Sequence, residues 1–286
     1  MQPSFVANFD PEMSVNSGQA FLWQKVNGNW YGVHGDCVVK FSKSDDNNGV
    51  EFSSFPERKG VERDLFRLDD DFDSISAEIS RDSLMAGLLK TYTGLRLMRQ
   101  DPAQCLFSFV CASNTNIPMI RKMLYTLAKR YGQSVLVDGM ELQTFPSPKV
   151  MCNVSETELR ACGLGYRAKT IRAVALGIAA GTPDLAQLKK SSYADAKREL
   201  LKVYGVGPKI ADCVLLFSLD KLEAFPIDVW IARALAAYYG WLGKFGEKLT
   251  ARQYDTLSES ARKHFGRHAG YAQQYLYYHM RQGKKW

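Results

Sequence analysis

Hydrophobic and polar positions along the chain follow two regimes. From residue 19 to about 56, short apolar runs alternate with turn signals: Ala20-Phe21-Leu22-Trp23-Gln24, Trp30-Tyr31-Gly32-Val33, Cys37-Val38-Val39-Lys40-Phe41 and Val50-Glu51-Phe52. Asn27-Gly28, His34-Gly35-Asp36 and the polar loop Ser44-Asp45-Asp46-Asn47-Asn48-Gly49 separate them. Such runs and turns predict a small antiparallel sheet. After about residue 60 the apolar spacing becomes helical and stays so to the end. Helix starts are expected at Asp101-Pro102, at Asn116-Ile117-Pro118, at the capping-box segment Ser155-Glu156-Thr157-Glu158, and at Thr182-Pro183 and Phe225-Pro226, with proline near the first turn. The expected architecture is α+β. A small N-terminal antiparallel β domain covers residues 1–95, and an all-helical domain covers residues 96–286.

Composition narrows the class. With 286 residues, 46% hydrophobic and 23% charged, the chain is globular and neither mostly disordered nor collagen-like. Lys plus Arg number 37 against 30 Asp plus Glu, a net charge of +7 without a basic tail, which suits a partner carrying phosphates. No apolar run reaches about 18 residues and the N-terminus lacks a charged-then-apolar leader, so no membrane is expected. The expected location is intracellular, cytoplasmic or with the chromosomal DNA. Cysteines 37, 105, 111, 152, 162 and 213 never form Cys-x-x-Cys, and most lie far in sequence from the four histidines. Neither a zinc site nor a disulfide framework is indicated; buried free thiols are.

The most informative stretch runs from Ala196 to Phe217, two helical patterns joined by Gly205-Val206-Gly207-Pro208-Lys209. The glycines make a tight reversal and Pro208 suits a first helical position, giving a helix-hairpin-helix. Its second helix opens with N–H groups that point outward with positive partial charge, a phosphate-binding end. A nucleotide-binding P-loop is excluded, because proline separates the second glycine from Lys209 and Ile210 stands where a magnesium-binding hydroxyl is needed. Gly163-Leu164-Gly165 echoes the form Gly-hydrophobic-Gly, either as a duplicated unit or as an independent tight turn. Asp228 falls in the first turn of a helix whose Ile227, Ile231, Leu235 and Tyr238 suit a buried face. Taken singly, Asp228 fits a helix cap and Lys209 a solvated helix-end lysine.

Hairpin, Lys209 and Asp228 together resemble the helix-hairpin-helix DNA glycosylases, in the bifunctional form that pairs base removal with strand cleavage. The chain has no cysteine beyond 213, so it lacks the four that would hold an iron–sulfur cluster in endonuclease III-like members. Four further segments resemble the 8-oxoguanine DNA glycosylase branch: Asn16-Ser17-Gly18-Gln19-Ala20-Phe21, Phe107 to Ile117, Gly163 to Lys169, and Gly270 to Tyr277. The resemblance spans nearly the whole chain. It implies that Lys209 attacks the anomeric carbon and forms an imine, while Asp228 stabilises charge on the sugar. Cys213 and Tyr277 would sandwich an extruded base and Gln273 would read its Watson–Crick edge. The Gly18 carbonyl would accept the N7 hydrogen that 8-oxoguanine has and guanine lacks. Asn114 and Arg167 would hold the orphaned cytosine, with Tyr166 wedged into the stack. Gly205, Val206 and Gly207 would meet phosphate.

The resemblance further implies double-stranded DNA containing 8-oxoguanine as partner, a monomer as acting unit, and no required cofactor. A monovalent or alkaline-earth ion could sit on the Val203 and Val206 carbonyls. Read on their own, Cys213 suits plain core and Tyr277 an aromatic packing run. Several positions depart from the family. Tyr277 stands where phenylalanine is common, and Trp230 and Met280 replace a histidine and an aspartate. Met119 stands where a second arginine would contact cytosine, so a relaxed preference for the opposite base is expected. Two competing functions are a helix-hairpin-helix DNA-binding module without catalysis and a glycosylase of this fold for another damaged base.

Overall fold

The computed structural model describes residues 9–43, 49–241 and 249–282. Four antiparallel strands, Trp23–Val26, Asn29–His34, Cys37–Lys43 and Val50–Phe55, form a meander in chain order. Asn27 and Gly28 both adopt positive φ, which matches the turn to the twist of the strands it joins. Trp23 lies opposite Gly32, and its indole covers the space a side chain there would need. One face of the sheet buries Trp23, Val39, Phe41 and Phe52 against Val61, Leu65 and Phe66. The Ala20–Leu22 end of the first apolar run precedes its strand, and Phe21 packs edge-on against Phe109 of the helical part instead. Most of the expected 44–49 loop lies outside the described residues.

From Val61 onward the structure is chiefly helical. Asp101, Asn116 and Ser155 cap their helices as expected, Ser155 within a complete capping box. At Thr182-Pro183 and Phe225-Pro226 the prolines are not in the first turn. Asp184 and Asp228 are the caps, of Leu185–Lys190 and Val229–Ala234, and each proline stands before its cap. An aspartate side chain that accepts first-turn N–H groups outcompetes the prolines for that end. Ile227, Ile231 and Leu235 are buried, but Tyr238 is 47% exposed. Leu235–Tyr239 form a π turn ending at left-handed Gly240, and its wider winding carries position 238 off the buried stripe.

The helical part makes one excursion. Strands Ser134–Val137 and Met140–Gln143 form a hairpin across Asp138-Gly139, both at positive φ. Asp138 ties it to the N-terminal sheet, accepting from the Tyr31 hydroxyl at 2.6 Å and pairing with Lys40 at 2.7 Å. Helix Pro102–Cys111, buried from Gln104 to Cys111, packs along Pro208–Ser218, with Phe109 stacked on Phe217 at 5.5 Å. No helix among the described residues is long and apolar enough to cross a membrane.

Candidate active site

The hairpin consists of helices Tyr193–Leu201 and Pro208–Ser218 and the turn between them. Gly205 is left-handed at φ 78°, and a Cβ there would fall 2.7 Å from Thr170 Cγ2. Val206 is buried and donates its N–H to the Val203 carbonyl at 3.0 Å. Gly207 occupies the N-cap with no side chain, and open space surrounds its α-carbon, so the first-turn N–H groups are unobstructed there. The Gly163-Leu164-Gly165 junction repeats this only in part. Gly163 and Gly205 are both left-handed, but Gly165 has φ 56° where Gly207 is extended. The two junctions are neighbours, with Lys169 Nζ 4.8 Å from the Tyr204 ring centroid.

Lys209 is half-buried at the second position of its helix, Nζ 5.4 Å from the Phe109 ring centroid. One turn on, Cys213 is buried, and burial pushes its thiol up to about 12 against the opposing charge of Lys209. Asp228 caps Val229–Ala234 from the adjoining loop, its Oδ1 accepting the Trp230 and Ile231 N–H groups at 2.9 Å each. Burial raises the Asp228 pKa; Lys209, the two N–H groups and Arg281 oppose that rise. Tyr277 is half-buried, and burial raises its hydroxyl pKa, with Asp228 and Cys213 adding to the rise. The structure therefore brings Lys209, Cys213, Asp228 and Tyr277 into one electrostatic neighbourhood.

Gly18, from the far end of the chain, joins them. Its φ is +84°, and a Cβ would fall 2.9 Å from Tyr277 Cε1 and 3.3 Å from Arg281 Cζ. Its neighbours are fixed: Gln19 donates to the Arg96 carbonyl at 2.8 Å and accepts the Met98 N–H at 2.7 Å. Gln100 donates to the Gln19 carbonyl at 2.8 Å and Gln274 to the Ser17 carbonyl at 3.1 Å. Gln273 is buried, donating to the Pro226 carbonyl at 3.2 Å while its Oε1 has no partner. Such an unpaired buried acceptor is exceptional, since most buried polar groups have a partner.

Sequence reasoning missed two residues here. Arg281, four residues beyond Tyr277 on helix Ala269–Gln282, folds back over that ring, Cζ 5.6 Å from its centroid. The spacing of one helical turn was the available signal. Asp212, 0% exposed, accepts hydrogen bonds from Tyr193 and Tyr254 at 2.8 Å each and from Lys197 at 3.1 Å. The Tyr254 hydroxyl also accepts the Ile227 N–H at 3.2 Å, so one buried carboxylate links the Lys209 helix to the loop presenting Asp228. A lone aspartate within the apolar run Ile210 to Phe217 was the cue.

A second cluster lies on the surface. Asn114, at φ 48°, sits beside Tyr166 and Arg167; its Nδ2 is 3.4 Å from the Tyr166 hydroxyl. Tyr166 and Arg167 donate to the Ser113 carbonyl at 3.1 and 3.0 Å, and the guanidinium lies 4.6 Å from the Tyr166 ring centroid. Tyr166 is 57% exposed, suited to insertion elsewhere. Met119 is 42% exposed in the first turn of Ile117–Tyr131. Arg121 turns away from it and donates to the Trp23 carbonyl in the sheet. Trp230 and Met280 are half-buried, and Arg233 lies 5.1 Å from the Trp230 ring centroid.

Residues 4–106 match the family model for the 8-oxoguanine DNA glycosylase N-terminal domain, and residues 107–259 match that for HhH-GPD superfamily base excision DNA repair proteins. The chain is 32% identical to the N-glycosylase/DNA lyase OGG1 of Arabidopsis thaliana, covering 93% of this chain and 75% of that protein. It is 31% identical to a probable N-glycosylase/DNA lyase of Methanothermobacter thermautotrophicus, covering 96% and 95%. Among solved structures, the Clostridium acetobutylicum 8-oxoguanine glycosylase/lyase in complex with double-stranded DNA containing cytosine opposite 8-oxoguanine superposes with a TM-score of 0.86. It is 32% identical, over 96% of this chain and 92% of that one.

Proposed function

The chain belongs to the 8-oxoguanine DNA glycosylase family of helix-hairpin-helix base excision repair proteins, and on that premise we propose how its residues act. The protein is a bifunctional DNA N-glycosylase and abasic-site lyase that takes 8-oxoguanine out of duplex DNA and nicks the strand. The observation that carries the residue assignment is the nearness of Lys209, Cys213, Asp228 and Tyr277 to one another, with Gly18 against the Tyr277 ring.

The target nucleotide leaves the stack because its sugar is otherwise out of reach, at a cost of a few kcal/mol. The base lies between Cys213 and Tyr277. Gln273, whose Oε1 lacks a partner, meets its Watson–Crick edge. The Gly18 carbonyl accepts the N7 hydrogen of 8-oxoguanine; against guanine it would set acceptor against acceptor. The Lys209 nitrogen attacks C1′ as the C1′–N9 electron pair departs with the base, and Asp228 offsets the positive charge on the sugar. One proton of the attached amine passes to the departing base and the other to O4′ as the sugar ring opens, which gives an imine. Removal of a C2′ proton then expels the 3′ phosphate by β-elimination. Asn114, Tyr166 and Arg167 occupy the vacated stack. First-turn N–H groups beside Gly205, Val206 and Gly207 meet a phosphate. The Val203 and Val206 carbonyls are hard donors, each with capacity beyond one N–H, and would hold a monovalent or alkaline-earth ion there.

Borohydride trapping on an 8-oxoguanine duplex is the test. Wild type becomes covalently attached, while Lys209→Gln binds the duplex but neither traps nor excises. Failure of wild type to trap would favour a binding module without catalysis, and trapping on a different lesion in a panel would reassign the substrate. Opposite-base preference is relaxed in this proposal, because exposed Met119 offers cytosine no hydrogen bond and Arg121 is engaged by the sheet.

A further inference from the structure

Arg281 is a cation to which the steps above give no role, although it interacts with the Tyr277 side chain. Cations are favoured in the last turn of a helix, where Arg281 lies, but such a side chain is equally well served pointing into solvent. This one reaches inward. Its guanidinium occupies the place a Cβ on Gly18 would take, with Cζ 3.3 Å from that position, and it lies 5.6 Å from the Tyr277 ring centroid. Among the described residues no carboxylate stands within ion-pair distance of it. Gly18 is favoured as glycine by its positive φ and by Tyr277 Cε1, 2.9 Å from where a Cβ would fall, while the Arg281 guanidinium fills the same space.

We propose that Arg281 is a further catalytic residue, donating hydrogen bonds to the extruded oxidised purine and offsetting the negative charge that gathers on it as the glycosidic bond breaks. This rests on the assignment of Gly18 and Tyr277 as walls of the base pocket. When C1′–N9 cleaves, both bonding electrons leave with the base, and the charge spreads onto its carbonyl oxygens until a proton neutralises it. A guanidinium stays charged throughout and carries five N–H donors in a fixed fork, so it meets that charge without reorganising. Its position between Gly18 and Tyr277 places it at the base rather than at the hairpin, where phosphates are handled. Its field also favours the ionised form of Asp228, which the sugar cation needs.

Two substrates separate this role from others. Excision from an 8-oxoguanine duplex has a departing base, whereas cleavage of a preformed abasic duplex does not. Arg281→Met slows single-turnover excision by about 10- to 150-fold, the weight of a hydrogen bond to a charged group, and Arg281→Lys recovers part of the loss. Cleavage of the preformed abasic duplex and affinity for a duplex holding a tetrahydrofuran site stay unchanged. Equal losses on both substrates would overturn the proposal in favour of a positioning or phosphate contact. Undiminished excision would overturn it in favour of a side chain that only fills the empty pocket. If wild type itself left 8-oxoguanine in place, the substrate assignment would fall first; if wild type excised normally and Arg281→Met did too, this inference alone would fall.

Discussion

Asp228 serves two ends with one carboxylate, and asparagine separates them. As a cap, its Oδ1 takes two N–H groups at 2.9 Å. An asparagine side-chain oxygen caps a helix as well as an aspartate does, while alanine leaves both donors unmet at a cost of about 0.5–2 kcal/mol. As a charge, Asp228 works against the fold, because burial raises its native pKa above the ordinary aspartate value. Between those two pKa values the native state binds more protons than the unfolded state, so stability falls as pH rises through that window, and above it the full penalty persists. Asp228→Asn at neutral pH is then as stable as wild type or more so, and Asp228→Ala is less stable. Catalysis moves the other way, with Asp228→Asn slower by about 10²–10⁴-fold. Wild-type excision itself declines on acidification at a pH above that of an ordinary aspartate. Thermal unfolding of the three proteins at neutral and mildly acidic pH, with single-turnover excision beside it, checks this. An asparagine variant that excises normally and unfolds as readily as the alanine variant would refute the reasoning and leave Asp228 a cap only.

Met119→Arg introduces a bidentate donor beside Asn114 and Arg167 and raises the preference for cytosine over adenine opposite the lesion by about 5- to 150-fold. Excision from four duplexes differing only in that base measures it, and strong cytosine preference before substitution would count against the assignment of Met119. Asp212→Asn leaves Lys197 with the exposed Asp255 carboxylate at 3.4 Å as its remaining ion pair and loses about 1.5–3 kcal/mol of stability. Urea denaturation reads that loss, and the double variant Asp212→Asn, Lys197→Met should recover part of it; an undiminished midpoint in the single variant would show the network to be unimportant.

What the sequence makes legible is what local chemistry decides. Asn27-Gly28 sets a hairpin, Asp101, Asn116 and Ser155 set helix starts, and Gly205 to Lys209 sets a reversal, because each depends on a handful of adjacent atoms. Val137-Asp138-Gly139-Met140 carried the same hairpin chemistry within a helical context and shows that a two-residue turn overrides the surrounding period. Tyr238 illustrates the opposite case: a change of winding from α to π has no residue signature, and it rotates every later position. Arg281 was hidden because its significance lies in Gly18, more than two hundred and sixty positions earlier. Arg121 could be placed facing away from Met119 by helical angle alone, but its hold on Trp23 needed the fold.

Gly18 discriminates, in the proposed mechanism, by where a neutral carbonyl is rather than by what it is, and every peptide unit in the chain carries the same group. A carbonyl held loosely would drift toward guanine or away from the lesion, so fidelity becomes a matter of stiffness. The stiffness comes from elsewhere: the Gln19, Gln100 and Gln274 side chains tie down the peptides on either side of Gly18. Shortening any of these amides would soften the gauge without touching the blade, giving a repair enzyme that still cuts but tells damaged from intact bases less sharply.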